Sequence, residues 1–267
     1  VTLLTSRDNP LIKTVISLQK RKGREKHRLF LAEGPHLLEE ALKSAFTVRS
    51  VIVQEGASCS GLWWTLLKEQ SVPVYQVLPR LYQTLTETQH PQDVIGIVEQ
   101  PAETGGFPLV DKDFCGLLLN ELQDPGNLGT IMRTAWAAGF KNLFTTPGTV
   151  DPYSGKVVRA SQGGIFNIKL YTHPLEEMLA WANKQGVRVW VADPKGTKFH
   201  FEADLTGPTL FLLGNEAHGF DWSKLEKDQV VEGLKIPLPG GAESLNVSVA
   251  AAILLYEALR QQMVVVG

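Results

Sequence analysis

Cysteine is nearly absent: Cys59 and Cys115 are the two in 267 residues. They share no short spacing and have no histidine cluster beside them, which excludes a disulfide scaffold and leaves no metal-ligand set, so both read as reduced thiols. Long apolar runs are also missing. No stretch reaches the ~18 uninterrupted apolar residues of a spanning helix, and the first residues lack an apolar run ending in a small-residue cleavage site. The expectation is a cytoplasmic protein with no membrane segment. The nucleotide signatures are incomplete: Gly126-x-x-Gly129 falls short of G-x-G-x-x-G, and 214–219 has the Walker spacing without the following Lys-Ser/Thr. A dehydrogenase or a nucleoside triphosphatase is therefore disfavoured.

What is present is ordinary globular material, 43% hydrophobic and 20% charged with a mean hydropathy of -0.04, which excludes the low-hydrophobicity, high-charge composition of disorder. The length exceeds one typical core and predicts two domains. The formal net charge of -2 conceals an asymmetry. In residues 1–30, Arg7, Lys13, Lys20, Arg21, Lys22, Arg24, Lys26 and Arg28 stand against Asp8 and Glu25, a balance of +6, while the remainder carries 18 basic and 26 acidic side chains, or -8. Such a segment is either a solvated helical face or a contact for a polyanion, and nucleic acid is the sharper reading.

Beyond it, apolar segments alternate. A strand at 29–32 precedes a helix opened by Gly34-Pro35 and carrying Leu37, Leu38, Ala41 and Leu42. A strand at 48–53, a helix with Leu62, Trp63, Leu66 and Leu67, a strand at 72–77, a helix after Pro79-Arg80 and a strand at 94–98 complete a small α/β domain over 1–100. Residues 101–110, with Pro101, Gly105, Gly106 and Pro108, read as a linker. From 111 to 267 the alternation restarts: strands at 115–119, 142–145, 187–192 and 209–213, helices at 128–138 and 175–185 ended by Gly139 and Gly186, and a final helix at 247–262. Continuous apolar strands predict a parallel sheet covered by helices, so the fold class is α/β. The six tryptophans read as core or interface residues.

Open α/β sheets bind ligands beyond the carboxyl ends of their strands. Three loops stand there: 120–129, 213–219 and 236–246. Asn127 either orients a substrate or caps its helix, and Ser244 and Asn246, at the start of the final helix, carry the same ambiguity. Glu216, bracketed by Gly214 and Gly219, is either a turn residue or a carboxylate that accepts loop amides or orients Arg133 and a substrate hydroxyl.

In these loops the chain resembles the TrmH/SpoU group of RNA ribose 2'-O-methyltransferases within the knotted SPOUT methyltransferases. The resemblance rests on Asn127-x-Gly129-x-x-x-Arg133-Thr134-Ala135, on Gly214-Asn215-Glu216-x-x-Gly219, and on Ile236-Pro237 leading to Ser244-Leu245-Asn246-Val247-Ser248, with 156–164 a softer fourth element. Phe30-Leu31-Ala32-Glu33-Gly34 with 37–41 looks like the L30e/L7Ae-like substrate-binding domain that accompanies many ribosomal-RNA members. The resemblance implies S-adenosylmethionine as cofactor, a homodimer, a trefoil knot in the C-terminal domain, and RNA, most of all ribosomal RNA, as partner. It places Arg133 on the ribose or its phosphate, with Glu216, Asn246, Ser244 and Asn127 in the active site. A guanidinium stays protonated, so Arg133 is expected to act electrostatically on the developing oxyanion rather than as a base. Gly214, Ile236 and Leu245, with Leu213 and Thr145 beside them, are expected to line the cofactor cleft, because adenine needs apolar walls and close backbone. Arg7, Lys20, Arg21, Lys22, Arg24, Lys26, Arg28 and Arg159 are expected to contact RNA. A tRNA 2'-O-methyltransferase and a catalytically inactive RNA-binding protein of the same fold are the alternatives. A small-molecule α/β enzyme is disfavoured by the basic segment and the missing dinucleotide motif.

Overall fold

The structure, a computed structural model, describes residues 2–88, 90–102, 105–225 and 231–266. The chain forms two compact units, Val1–Ala102 with Asp151–Asn167, and Glu103–Val150 with Ile168–Gly267. Among the described residues no helix is long and apolar enough to cross a membrane.

In chain order the first unit contains β1 (Thr2–Leu4), α1 (Pro10–Leu18), α2 (Arg21–His27), β2 (Leu29–Glu33), α3 (Pro35–Lys43), β3 (Val48–Gln54), α4 (Leu62–Glu69), β4 (Val74–Val77), α5 (Pro79–Tyr82) and β5 (Val94–Glu99). Its sheet runs β1-β4-β3-β5-β2; β1, β4 and β3 are parallel, and β5 pairs antiparallel with both β3 and β2. The first three elements lie in or before the stretch read above only for its charge. Asn9 starts α1 by accepting the Leu11 amide at 2.9 Å, with Pro10 pre-set for the first turn. The helix then buries Ile12, Val15 and Leu18 against Ile52, Val77, Ile95 and Ile97, each fully buried aliphatic side chain contributing roughly 1.5–3 kcal/mol.

The second unit is built from β6 (Cys115–Leu119), α6 (Pro125–Ala137) and β7 (Asn142–Thr145). After these, α7 (Gly155–Ser161) belongs to the first unit. The second unit resumes with β8 (Lys169–Thr172), α8 (Leu175–Lys184), β9 (Arg188–Ala192), β10 (Lys198–Phe199), β11 (Thr209–Leu213), β12 (Val231–Lys235) and α9 (Val247–Val266). Seven parallel strands run β10-β12-β9-β11-β6-β7-β8. The chain leaves β6 toward β7 on one side and leaves β11 toward β12 on the other, so neighbouring strands β6 and β11 flank a topological switch point.

Helix ends are decided locally. Asp124 caps α6 by accepting the Asn127 amide at 2.8 Å, with Pro125 in the first turn. At the other end Gly139, at φ +81, lets the Gly139 amide reach the Trp136 carbonyl and the Phe140 amide the Ala135 carbonyl, a Schellman termination. Gly186 closes α8 in the same way. The core under β6 and β11 gathers Leu118, Phe144, Met178, Trp181, Val191 and Leu212.

Several expectations are revised here. The helix expected at 128–138 begins at Pro125, because Asp124 rather than Asn127 is the cap. Phe107 and Val110, read as linker, pack on the second unit's core, and Phe107 stacks on Trp181 at 4.9 Å. Strands β1, β8, β10 and β12 and helices α1 and α7 had no counterpart in the sequence reading, while α2 falls where a solvated helical face was one of the two readings; β10 is two residues long and β8 has a single buried residue, too little for a periodic signal. Burial pushes the Cys115 thiol far above its ordinary range, leaving an inert core residue.

Candidate active site

Leu119 and Leu213 stand in register at the ends of β6 and β11, and the Asn120 amide donates to the Leu213 carbonyl at 2.9 Å. The 120–129 and 213–219 loops therefore leave the sheet side by side. Glu216 joins them. Its Oε1 accepts the Asp124 amide at 2.9 Å and the Asn127 side-chain amide at 3.2 Å, while Oε2 accepts the Gln123 amide at 3.0 Å. Burial works to raise its pKa, but the Asp124 and Gln123 amides, its own amide and the Asn127 carboxamide outweigh that and hold it below the ordinary Glu range.

Asn127 continues the chain of contacts. Its Oδ1 accepts the Asn246 side-chain amide at 3.0 Å, and Asn246 Oδ1 in turn accepts the Ser248 amide at 2.9 Å and the Ser248 hydroxyl at 2.6 Å. Asn246 thus caps α9 with one end of its carboxamide and reaches Asn127 with the other. Because β12 lies three places from β6 in the sheet, residues 236–246 must cross the carboxyl ends of β9 and β11 to bring Asn246 there. Glu216, Asn127 and Asn246, separated by up to 119 positions in sequence, form one hydrogen-bonded line.

Arg133 and Ser244 are not in that line. Arg133 is exposed on α6 and, among the described residues, makes no hydrogen bond or ion pair; Ser244 is exposed with no partner either. Among the described residues nothing competes with a ligand anion for the guanidinium, and Glu216, whose oxygens are held by loop donors, does not orient it.

Gly214 cannot be replaced by a larger residue without moving backbone, because an added Cβ would stand 2.2 Å from the Gly219 carbonyl carbon and 2.4 Å from the Phe220 nitrogen. That close approach is closed by reciprocal Asn215–Gly219 backbone bonds of 3.0 and 2.8 Å. Ile236 and Leu245 are half-buried in the crossing segment, as is Leu238, to which the sequence reading gave no role. Among the described residues, the amides of Ile236, Leu238 and Leu245 donate to no protein acceptor. Half-buried apolar walls with open amides beside them fit the adenosine part of S-adenosylmethionine. Two expected neighbours sit differently. Leu213 is buried inside β11, and the buried Thr145 hydroxyl is tied to Thr172 at 2.9 Å; it is the Thr146 hydroxyl that meets the loops, accepting the Glu121 amide at 2.9 Å. Glu121 and Gln123 lie in the 120–129 loop without a role in the sequence reading, since partners more than 90 positions away leave no local pattern.

The first unit corrects the RNA set. Arg24 is 5% exposed. Its Nε and Nη2 pair with Asp151 at 2.8 and 2.6 Å, and its Nη1 donates to the Leu18 and Gln19 carbonyls at 2.8 and 3.1 Å. It is an internal cation with an acceptor on every nitrogen and is withdrawn as a phosphate contact. Arg159 lies near two carboxylates, Glu33 at 3.6 Å and Glu87 at 3.7 Å, which compete with phosphate for it. Arg21 pairs with Glu25, and Arg28 donates to the Pro101 carbonyl. Arg7, Lys20, Lys22 and Lys26 are exposed.

Comparison with known proteins gives this arrangement its context. Residues 115–256 match the SpoU rRNA Methylase family, and residues 9–96 match an MRM3-like substrate binding domain. The 23S rRNA (guanosine(2553)-2'-O)-methyltransferase of Bacillus subtilis is 35% identical over 95% of this chain and 97% of its own. The 23S rRNA (uridine(2479)-2'-O)-methyltransferase of Streptomyces viridochromogenes is 31% identical over 97% and 92%. Among solved structures, an AdoMet-bound rRNA methyltransferase from Sinorhizobium meliloti superposes with a TM-score of 0.86 at 30% identity, covering 97% of each chain. A protein described for 2-OH methylation of C/U34 on tRNA covers 56% of this chain at a TM-score of 0.51. Since the matched family spans all three loops and the full-length relatives align over both units, the chain belongs to the SpoU rRNA Methylase family.

Proposed function

We propose that this protein transfers a methyl group from S-adenosylmethionine to a ribose 2'-hydroxyl of ribosomal RNA. The observation that carries it is the Glu216–Asn127–Asn246 line at the β6/β11 switch point, inside the family-matched region. When bound, S-adenosylmethionine supplies an electrophilic methyl group on a sulfonium sulfur. The residues suited to hold it are Gly214, whose bare backbone lies flush with Gly219, and Ile236, Leu238 and Leu245 with their open amides. The chain's own chemistry is electrostatic. Both Glu216 oxygens are engaged by donors, so Glu216 organises the turn and orients Asn127 rather than removing the hydroxyl proton. The exposed guanidinium of Arg133, with no partner among the described residues, grips the ribose phosphate and stabilises negative charge gathering on the 2'-oxygen. Asn246, on the crossing segment, holds Asn127 in place, and Ser244 lies two residues before it.

The first unit is the RNA substrate-binding domain, of L30e/L7Ae-like type, and carries 151–167 as well as the N-terminal hundred residues; the second is the catalytic domain, whose C-terminal segment threads a trefoil knot. The return of 236–246 to Asn127 supports that threading. Ribosomal RNA is favoured over tRNA because relatives with rRNA substrates match both units, whereas the tRNA-directed structure matches about half the chain. The bacterial 23S rRNA methyltransferase relatives favour the cytoplasm as the place where the protein works. A homodimer is supported by an exposed apolar stripe on α9, Val249, Tyr256 and Met263, which recur every seventh position and are 47%, 50% and 68% exposed, and which a second copy would cover; sedimentation of Tyr256→Asp as monomer and wild type as dimer is the check. The reaction itself is tested by incubating ribosomal RNA from cells lacking the protein with labelled S-adenosylmethionine and mapping 2'-O-methylation. One ribose labelled by wild type is the expected result, and no label on any ribose overturns the reading.

A further inference from the structure

Glu121 is one of four non-glycine residues with positive φ among the described residues, at +57°. Such backbone costs free energy for a residue with a Cβ and persists where its surroundings hold it. Four contacts do so. The Glu121 amide donates to the Thr146 hydroxyl at 2.9 Å; its carbonyl accepts the Asn215 side-chain amide at 2.9 Å and the Gln123 side-chain amide at 3.0 Å; its carboxylate pairs with Lys224 at 2.9 Å. Gln123 also donates to the Gly148 carbonyl at 2.7 Å. One residue therefore meets the loop after β7, and both the start and the far end of the 214–224 segment that carries Glu216.

The direction of the chain after Glu121 decides where the next amides point. Gln123 and Asp124 are the backbone donors this turn gives to Glu216, and Asn127, a side-chain donor, starts from the same turn. We infer that Glu121 is a positioning residue for methyl transfer: its left-handed backbone aims the 121–127 turn so that Glu216 and Asn127 stand in the reactive arrangement. The carboxylate's pairing with Lys224, both side chains 40% or more exposed, is the lesser part. This inference rests on the proposed methyl-transfer reading for its consequence and on the corner's geometry for its cause.

The experiment compares Glu121→Gly, which adopts positive φ freely, with Glu121→Val, which does not. Methylation of ribosomal RNA from cells lacking the protein gives kcat and the KM for S-adenosylmethionine, and amide NMR of Gln123 and Asp124 reports their bonds to Glu216. Expected for Glu121→Val is a fall in kcat of about thirtyfold, with KM little changed and both amide resonances displaced from the hydrogen-bonded position. Expected for Glu121→Gly is a fall of no more than about fivefold, from loss of the exposed ion pair, with the amides in place. If Glu121→Val does not fold, Glu121→Ala, with a smaller penalty, must show the same order. Equal kcat and equal amide shifts for the glycine and β-branched variants overturn the inference. A wild type that folds and shows the bonded amides but methylates no RNA overturns the proposed function and leaves the corner's geometry standing.

Discussion

Two arginines, one in each unit, show what a charge in a sequence does and does not mean. Arg24 comes from the most basic run in the chain, yet every nitrogen of its guanidinium is used internally, on Asp151 and on the Leu18 and Gln19 carbonyls. Arg133 comes from an ordinary amphipathic helix in the acidic remainder, and it is exposed with no partner among the described residues. The sheets differ correspondingly. The first unit's mixed sheet sends strand ends both ways. The second unit's all-parallel sheet brings the ends of β6, β11 and β12 to one edge, where loops from distant positions must meet. Local charge density marked the first unit; parallel topology made the site in the second.

The largest expected effects separate binding from chemistry within the second unit. Gly214→Val should abolish S-adenosylmethionine binding in calorimetry, because its Cβ needs space held by the Gly219 backbone. Arg133→Ala should leave that affinity nearly intact while single-turnover methylation falls about 100-fold, the scale of one lost transition-state donor. Arg133→Lys should not restore it, since a point charge lacks the guanidinium fork. Near-wild-type rates in both Arg133 variants would remove it from the mechanism.

The contrast between the arginines is broken most directly in the first unit. Arg24→Met leaves Asp151 without its buried partner and should destabilise the protein by roughly 3–5 kcal/mol in urea titration. Replacing Lys20, Lys22 and Lys26 together should leave stability unchanged and flatten the slope of log RNA affinity against log salt by about 2, at ~0.7 per single-stranded phosphate contact. A stable Arg24→Met, or an unchanged salt slope in the lysine variant, would show that burial and exposure do not divide the basic segment as described.

The smallest effect is on pH. The folded pKa of Glu216 is depressed, so the loop stabilisation it contributes is present above the ordinary Glu range and is lost as pH falls through the lower, folded value. Cofactor affinity of the wild type should decline over that acid window, and Glu216→Gln should remove this component of the pH dependence. Identical acid limbs in the two proteins would detach Glu216 from the loop's integrity.

Much of this was legible in the chain. Continuous apolar strands announced the parallel sheet, Gly139 and Gly186 marked the helix ends, and the three loops were locatable as strand-end segments. The motif residues Asn127, Glu216 and Asn246 could be named individually, but not as a hydrogen-bonded line. Glu121 could not be singled out at all, because nothing in Asn120-Glu121-Leu122 announces a left-handed backbone.

The sequence by itself determined the longer apolar strands and helices, where α6 and α8 would stop, and which residue types would be available at the strand ends, because periodicity, capping and turn preferences act over a few neighbouring residues. Only the tertiary structure decided that residues 151–167 pack with the first unit, that Arg24 is internal, and that Glu121, Asn127, Glu216 and Asn246 share one corner. Those outcomes depend on strand order and on which buried groups find partners, and both are settled by packing across a hundred residues or more rather than by any local preference.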